Sequence, residues 1–292
     1  MDNMDTNDSA AQRRQWLEQG YNVFRGVITA DEAHTLRLVC DDVLAQFRRG
    51  DPNPNPGGDS PHVIRHINNP YYFEGRHERV LPLLELAADE RIIAPLRNVM
   101  DWDPMYCKTS LWFNPLSGSD DGNWHRDTQF YIPDEKLERE NIERVGVQFG
   151  AQLQVALVPS QDIQVVPSSH LRWDTPAEYA IRRGNNFANN TSNDMPGALR
   201  IDLAPGDAVI FNPLCLHRGR YHSDKLRRTI MLTYGRSGGG DSWWCRQPWF
   251  LTPGYMDGVR PSTRAFYARF IAEHQEHWRA HLAGAAVHAT VQ

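Results

Sequence analysis

The sequence is poor in cysteine, and it has neither a long apolar run nor an excess of basic residues. Its four cysteines, Cys40, Cys107, Cys215 and Cys245, are widely spaced, which indicates neither disulfides nor a zinc site. No apolar stretch approaches the roughly 18 residues that a membrane span needs. The net charge is −5 without a basic stripe, which disfavours nucleic acid as a partner. Residues 1–8 are acidic and polar, unlike a signal peptide. We therefore expect a cytoplasmic protein with buried, reduced thiols.

The 292 residues are 40% hydrophobic and 23% charged, as in a chain able to bury a core, and we expect one domain over 1–292. Residues 1–10 are predicted to be disordered, and a capping box at Thr29–Glu32 starts a helix to about Arg49. Further helices are predicted over 78–88, 91–100 and 263–282, and short strands between them, one over 145–158. This order predicts an α+β fold with a mainly β core, about 104–236, buttressed by N-terminal and C-terminal helices.

One stretch, residues 123–130, contains a histidine and an aspartate two positions apart. In an extended strand, His125 and Asp127 point to the same face. They would supply two of the three ligands of a facial triad, which binds ferrous iron through two histidines and a carboxylate. The best candidate for the missing ligand is His217, which follows a predicted strand and Pro213. A Greek-key connection can bring such a distant residue beside Asp127.

A pair of arginines, Arg227 and Arg228, begins the next predicted strand. A co-substrate with a free carboxylate needs a planar cationic donor in its cavity. By strand parity Arg228 lies on an apolar face, where an arginine requires an anionic partner. We therefore expect Arg228 to bind the co-substrate and Arg227 to form a surface ion pair.

These pieces, in this order, resemble the phytanoyl-CoA dioxygenase family of iron(II)/2-oxoglutarate-dependent oxygenases. Residues 124–130 (Trp-His-Arg-Asp-Thr-Gln-Phe) are similar to its Trp-His-Gln-Asp-x-x-Tyr segment, and 166–170 (Val-Pro-Ser-Ser-His) to its Val-Pro-Gly-Ser-His turn. Residues 206–217 resemble its Gly-Asp to His element, and Arg228 has the expected spacing from His217. The resemblance covers roughly residues 15–240. It departs from the family at Ser168 and Gly219.

The resemblance implies a double-stranded β-helix of the cupin-like, jelly-roll type. It makes His125, Asp127 and His217 the catalytic iron(II) ligands and Arg228 the partner of 2-oxoglutarate. Lys108 and Gln154 would also lie near this co-substrate, although Lys108 on an edge strand could equally be a surface residue. The implied reaction consumes dioxygen and releases succinate and carbon dioxide. Because Asp127 is present, halogenation is disfavoured, and hydroxylation is expected, with desaturation, epimerisation and ring formation left open.

The sequence indicates less about the substrate, which we expect to be a polar small molecule, such as a secondary metabolite. The candidate substrate-contacting residues are Trp112, Asn114, Gln129, Phe130 and Trp173. The aromatic tract 243–250 could be a lid or part of the core, and the Asn-rich segment 185–193 a lid or a solvated loop. Two other readings stay open at this point: another metal-dependent enzyme of the same β fold, and a non-catalytic binding protein. The oligomeric state is left open.

Overall fold

The computed structural model describes residues 6–49, 62–115, 118–145, 150–238 and 245–289. These residues form helices and short antiparallel strands. The helices are α1 Thr6–Gln19, α2 Ala30–Phe47, α3 Leu81–Ala87, α4 Glu90–Met100, α5 Glu135–Val145, α6 Pro176–Arg182, α7 Gly184–Phe187 and α8 Pro261–Ala289. The strands are β1 Tyr21–Phe24, β2 Val63–Arg65, β3 Met105–Phe113, β4 Asp120–Asp121, β5 Ala151–Ala156, β6 Ile163–Val165, β7 Leu199–Arg200, β8 Ala208–Phe211, β9 His217–Tyr221 and β10 Arg228–Gly235.

A six-stranded major sheet has the order β1-β8-β5-β10-β3-β2. Its two faces have different neighbours because successive residues of a strand point to opposite sides. On one face Ile230, Leu232 and Tyr234 of β10 join a core that includes buried residues of α2, α3, α4 and α8. On the other face Met231 lines a cavity. The major sheet therefore separates a helical layer from the cavity.

A four-stranded minor sheet has the order β4-β9-β6-β7 and supplies the opposite cavity wall. His125 extends this sheet by an isolated antiparallel bridge to His217 at the start of β9. Both backbone hydrogen bonds of the bridge form, at 3.1 and 3.0 Å. The nonconsecutive strand order brings residue 217 back beside residue 125, as a jelly roll requires.

The predicted fold class is confirmed, and several element bounds need correction. Thr29 and Glu32 form the predicted capping box at the start of α2. Helix α1 begins at Thr6, so residues 6–10 are helical, while residues 1–5 lie outside the described part. Val145 ends α5 and is not in a strand, because the sequence 135–145 carries helix-forming charged residues.

The major sheet also reaches beyond the expected core of 104–236, since β1 pairs with β8 and β2 pairs with β3.

All four cysteines are buried and free. Within the described ranges, no helix combines the length and the apolar character that crossing a membrane requires.

Candidate active site

Three potential metal ligands converge on the cavity wall. One nitrogen each from His125 and His217 and one carboxylate oxygen of Asp127 lie within 4.8 Å of one another. Asp127 Oδ1 is 3.6 Å from His125 Nε2 and 3.5 Å from His217 Nε2. Two imidazoles and one carboxylate are the donor set that suits ferrous iron, so the three residues fit this metal.

Hydrogen bonds fix the orientation of both imidazoles. His125 Nδ1 lies 2.6 Å from the Asn123 carbonyl oxygen, and His217 Nδ1 lies 2.8 Å from that of Cys215. A carbonyl only accepts, so each Nδ1 carries the proton and each Nε2 keeps a lone pair toward Asp127. Gln152 on β5 donates its amide to Asp127 Oδ2. The site is therefore held for metal binding by the chain itself.

Burial governs the protonation of two of these groups. It lowers the pKa of His217 well below its usual value, and the nearby His125 lowers it further. Burial raises the pKa of Asp127, against the opposing effects of His125, Lys108 and the Gln152 hydrogen bond. A neutral His217 is the form that binds a metal.

Arg126, between His125 and Asp127, points away from the cavity and is fully buried. Its backbone is extended, which places the side chains of His125 and Asp127 on the same side. Its guanidinium contacts Asp174 and the carbonyl oxygens of Ser169 and Leu214. The two residues next to Leu214 bind the site directly. The Pro213 carbonyl accepts a hydrogen bond from the Asp127 backbone amide, and the Cys215 carbonyl accepts one from the His217 imidazole. Arg126 thus anchors the turn that positions Asp127 and His217.

The cavity beside these three potential ligands has a volume of about 560 Å³. Its walls come from both sheets and from the segment after Asp127. They include His62, Val63, Arg65, Lys108, Ser110, Trp112, Asp120, Phe130, Tyr131, Gln152, Gln154, Phe211, Tyr221, Arg227 and Met231.

The expected placement of Arg228 in the cavity is wrong. Arg228 lies on the helical face of the major sheet, where its Nε donates to Asp41 of α2 at 2.6 Å. Arg228 therefore has an anionic partner, as an arginine on an apolar face requires, but this partner is the Asp41 carboxylate and not a co-substrate. The face of β10 that carries Ile230 and Leu232 packs against the helices, so the face of Arg227 and Met231 borders the cavity.

Of the two adjacent arginines, Arg227 is the one that lines the cavity, and at 2% exposure it is not in the surface ion pair that was expected. Its Nη1 donates to the Arg220 carbonyl at 2.7 Å, and its Nε is 3.6 Å from Asp162 Oδ2. The guanidinium lies 4.8 Å from the ring centre of Tyr221 and 5.7 Å from that of Trp112. These rings hold the guanidinium plane beside the cavity.

Four other predicted residues line the cavity, namely Lys108, Trp112, Phe130 and Gln154. Whether Lys108 and Gln154 contact a co-substrate stays a prediction.

Three predicted substrate residues are absent from the cavity wall. Asn114 accepts from Arg228 at 3.0 Å, and Gln129 accepts from Arg182 at 3.1 Å. The ring of Trp173 lies 4.9 Å from the Arg182 guanidinium. These side chains serve the scaffold instead.

Sequence reasoning missed several cavity residues, including His62, Arg65, Gln152 and Tyr221. Strand alternation could have found Gln152, which is two residues before Gln154 on the same strand. No local pattern marks His62 and Arg65, because they belong to a three-residue strand, Val63–Arg65, and its flank.

The two segments left open are both attached to the rest of the protein, where they are described. Cys245, Trp249 and Phe250 belong to the main core, which favours the core interpretation of tract 243–250, although residues 243 and 244 lie outside the described ranges. In the Asn-rich segment, the Asn190 carbonyl accepts from the Trp124 amide at 2.7 Å, and the Ser192 carbonyl from the Trp124 indole at 2.9 Å. This mostly exposed segment is thereby attached to Trp124, the neighbour of His125.

Comparisons with known proteins agree with this architecture. The family model described as phytanoyl-CoA dioxygenase matches residues 16–229. EctD from S. alaskensis, solved with 2-oxoglutarate and 5-hydroxyectoine, is similar at a TM-score of 0.59 and 19% identity, over 90% of this chain and 89% of that one. The epimerase SnoN from nogalamycin biosynthesis, described as non-heme and alpha ketoglutarate dependent, is similar at 0.56 and 18%, over 80% and 82%.

The carbocyclase SnoK from the same biosynthesis is similar at a TM-score of 0.53 and 16% identity, over 80% of this chain and 85% of that one. Identities this low show a shared fold. No curated protein matches the chain by sequence.

Proposed function

The chain belongs to the phytanoyl-CoA dioxygenase family of iron(II)- and 2-oxoglutarate-dependent oxygenases, and on this premise we propose that it hydroxylates a C–H bond of a small molecule. The observation that carries the proposal is the convergence of His125, Asp127 and His217 on a cavity that also contains a buried arginine. The family comparison alone does not choose among reactions, because structures of this fold include an epimerase and a carbocyclase.

His125, Asp127 and His217 would hold the iron, and a facial triad leaves the opposite coordination positions for ligands from the cavity. Bound iron, 2-oxoglutarate and dioxygen supply the oxidising chemistry, with release of succinate and carbon dioxide. The chain's own part is to orient these groups and to limit water. The hydrogen bonds at both Nδ1 atoms hold the imidazoles in place. Asp127 keeps the carboxylate position filled, which favours hydroxylation over halogenation.

We assign the C5 carboxylate of 2-oxoglutarate to Arg227 instead of Arg228. A guanidinium offers a rigid fork of donors that matches a carboxylate, and Arg227 presents it from the cavity wall. The stacked rings of Trp112 and Tyr221 lie beside that fork and limit its movement. Gln154, on the neighbouring strand, adds a polar group to the same cavity.

The adjacent arginines provide a matched test of this assignment. We expect Arg227→Met to weaken 2-oxoglutarate binding about 30-fold or more, because removing one partner of a buried charge pair costs roughly 2–5 kcal/mol. Arg228→Met should leave that affinity nearly unchanged, since its partner Asp41 is on the helical side. The measurement is anaerobic calorimetric titration of the Mn(II)-loaded protein with 2-oxoglutarate.

Metal affinity should be unchanged in both variants. The reverse pattern, with Arg228→Met alone losing 2-oxoglutarate, would contradict the assignment. Iron-dependent formation of succinate from 2-oxoglutarate tests the activity itself, and its absence with the intact ligand set would contradict the proposed function.

A further inference from the structure

A second cationic region lies in the same cavity, formed by Arg65 of β2 and Lys108 of β3. Arg65 pairs with Ser110 across the two antiparallel strands, and Lys108 is two residues from Ser110. Directly paired residues and residues two apart share a face, so all three side chains point to one side of the sheet. All three line the cavity. Diagonal neighbours of this kind are close enough for long side chains to contact the same group.

This region is distant from Arg227. Lys108 lies in register with Thr233, and Phe113 with Arg228, the neighbour of Arg227. Five residues of extended strand separate these two pairs, which corresponds to roughly 16 Å. Arg65 is in register with Ser110 and thus with Met231, which is four residues, or roughly 13 Å, from Arg227 along the sheet. A dicarboxylate bound by Arg227 would leave the Arg65 side of the cavity open. Arg65 and Lys108 therefore face space that a second ligand would fill.

The charges of the cavity are unevenly distributed. The anionic residue Asp120 lies at the Arg227 end, where it pairs across strands with Tyr221. Near Lys108, the anionic group among the described lining residues is Asp127, whose carboxylate belongs to the metal site. Burial and the positive charge of Arg65 lower the pKa of Lys108, against the opposing effect of the Asp127 carboxylate. An anion between Arg65 and Lys108 would relieve this repulsion.

The rim of the cavity near His125 is aromatic. Phe130 is 69% exposed and Tyr131 is 44% exposed, and both line the cavity. The Phe130 ring centre lies 5.3 Å from that of His125. Exposed aromatic residues at the mouth of a cavity are suited to contact an apolar part of a ligand. That part of the ligand would lie next to the metal ligands.

We propose that Arg65 and Lys108 form a substrate subsite for an anionic oxygen group, and that Phe130 and Tyr131 contact an adjoining apolar body. The substrate class is thus an organic acid, with a carboxylate or a phosphonate-like group set apart from the C–H bond that is oxidised. This inference deepens the proposed function and rests on it. It assigns to Lys108 a role different from co-substrate binding.

The test uses matched probes because the substrate is unidentified. The full-length protein, loaded with Mn(II) and saturating 2-oxoglutarate under anaerobic conditions, is titrated calorimetrically with 4-phenylbutyrate, 3-phenylpropylphosphonate and the neutral 4-phenylbutyramide. We expect at least one anion to bind about tenfold or more tightly than the amide, since hydrogen bonds to charged groups contribute roughly 1.5–3 kcal/mol. The tighter of the two anions identifies the preferred group.

Variants of Arg65 and Lys108 test whether these residues bind the anionic group of the probes. Arg65→Gln and Lys108→Gln should each reduce anion affinity toward that of the amide while sparing 2-oxoglutarate binding. The control Arg139→Gln, which removes an exposed arginine of α5, should change neither the anion affinity nor the 2-oxoglutarate affinity. Equal binding of acid and amide, no binding of either anion at millimolar concentration, or unchanged anion affinity in both variants would overturn the proposal.

Co-substrate titration separates this inference from the proposed function. A loss of 2-oxoglutarate affinity in the Arg65 or Lys108 variant would place that residue with the co-substrate and overturn its assignment. If the unmodified protein fails to bind 2-oxoglutarate, the proposed function itself is contradicted, whatever the acid and amide probes show.

Discussion

Replacement of Arg126 by glutamine tests whether the segment between the metal ligands is held by a buried ion pair. Arg126 and Asp174 are both fully buried, with Nη2 and Oδ1 2.8 Å apart. Breaking such a pair costs about 3–5 kcal/mol because an uncompensated charge stays buried. Asp174 keeps a second partner, Arg182, at 2.6 Å, so we expect a loss near the lower end, about 3 kcal/mol. The carbonyls of Ser169 and Leu214 also lose a donor.

The expected result is large enough to measure. A loss of about 3 kcal/mol corresponds to a fall in Tm of roughly 6–12 °C in a large domain. The turn at Leu214 adjoins the carbonyls that hold Asp127 and His217, so Mn(II) affinity should also fall, about 10- to 100-fold. Differential scanning calorimetry and metal titration measure the two effects.

Arg139→Gln is the control, because Arg139 forms an exposed pair with Glu143 and such pairs contribute about 0.5 kcal/mol or less. If Arg126→Gln matched this control in both Tm and Mn(II) affinity, the reasoning about the buried pair would be refuted.

Two further predictions concern stability. Burial alone would raise the pKa of Asp121, but hydrogen bonds from Arg220 and His222 lower it to about 2. The lowered pKa of Asp121 stabilises the folded protein above pH about 4, the ordinary carboxyl pKa, and this stabilisation is lost as the pH falls toward 2. In thermal scans, the Tm difference between the unmodified protein and Asp121→Asn should therefore shrink over that range. Gly206→Ala should destabilise more than Gly75→Ala: both have a positive φ, of +91° and +79°, but an added Cβ meets the Ile28 carbonyl at Gly206 and nothing within 4 Å at Gly75. Equal urea midpoints for these two variants would count against the steric explanation.

Much of the fold was readable because local patterns and the ordered motifs agree. The capping box at Thr29 and Glu32 marks the start of α2 through short-range hydrogen bonds. Strand β3 begins at Met105, close to residue 104, where the mainly β core was expected to begin. Element ends were less readable, as at Val145, since helix and strand patterns compete over short segments.

The sequence by itself determined the identity of the candidate metal ligands. The spacing of His125 and Asp127 sets their common direction through the local backbone, and the motif order singled out His217. Strand alternation also separated Arg227 from Arg228 onto opposite faces.

Only the tertiary structure decided which of those faces carries the cavity. Both faces of β10 contain apolar residues, and a periodic pattern does not say what packs against either one. The helical layer covers the face of Ile230 and Leu232 and supplies Asp41 to Arg228. The opposite face is left to Arg227 and the cavity. Arg65 joins that cavity through pairing between residues far apart in the chain, and such pairing depends on the packing of whole sheets.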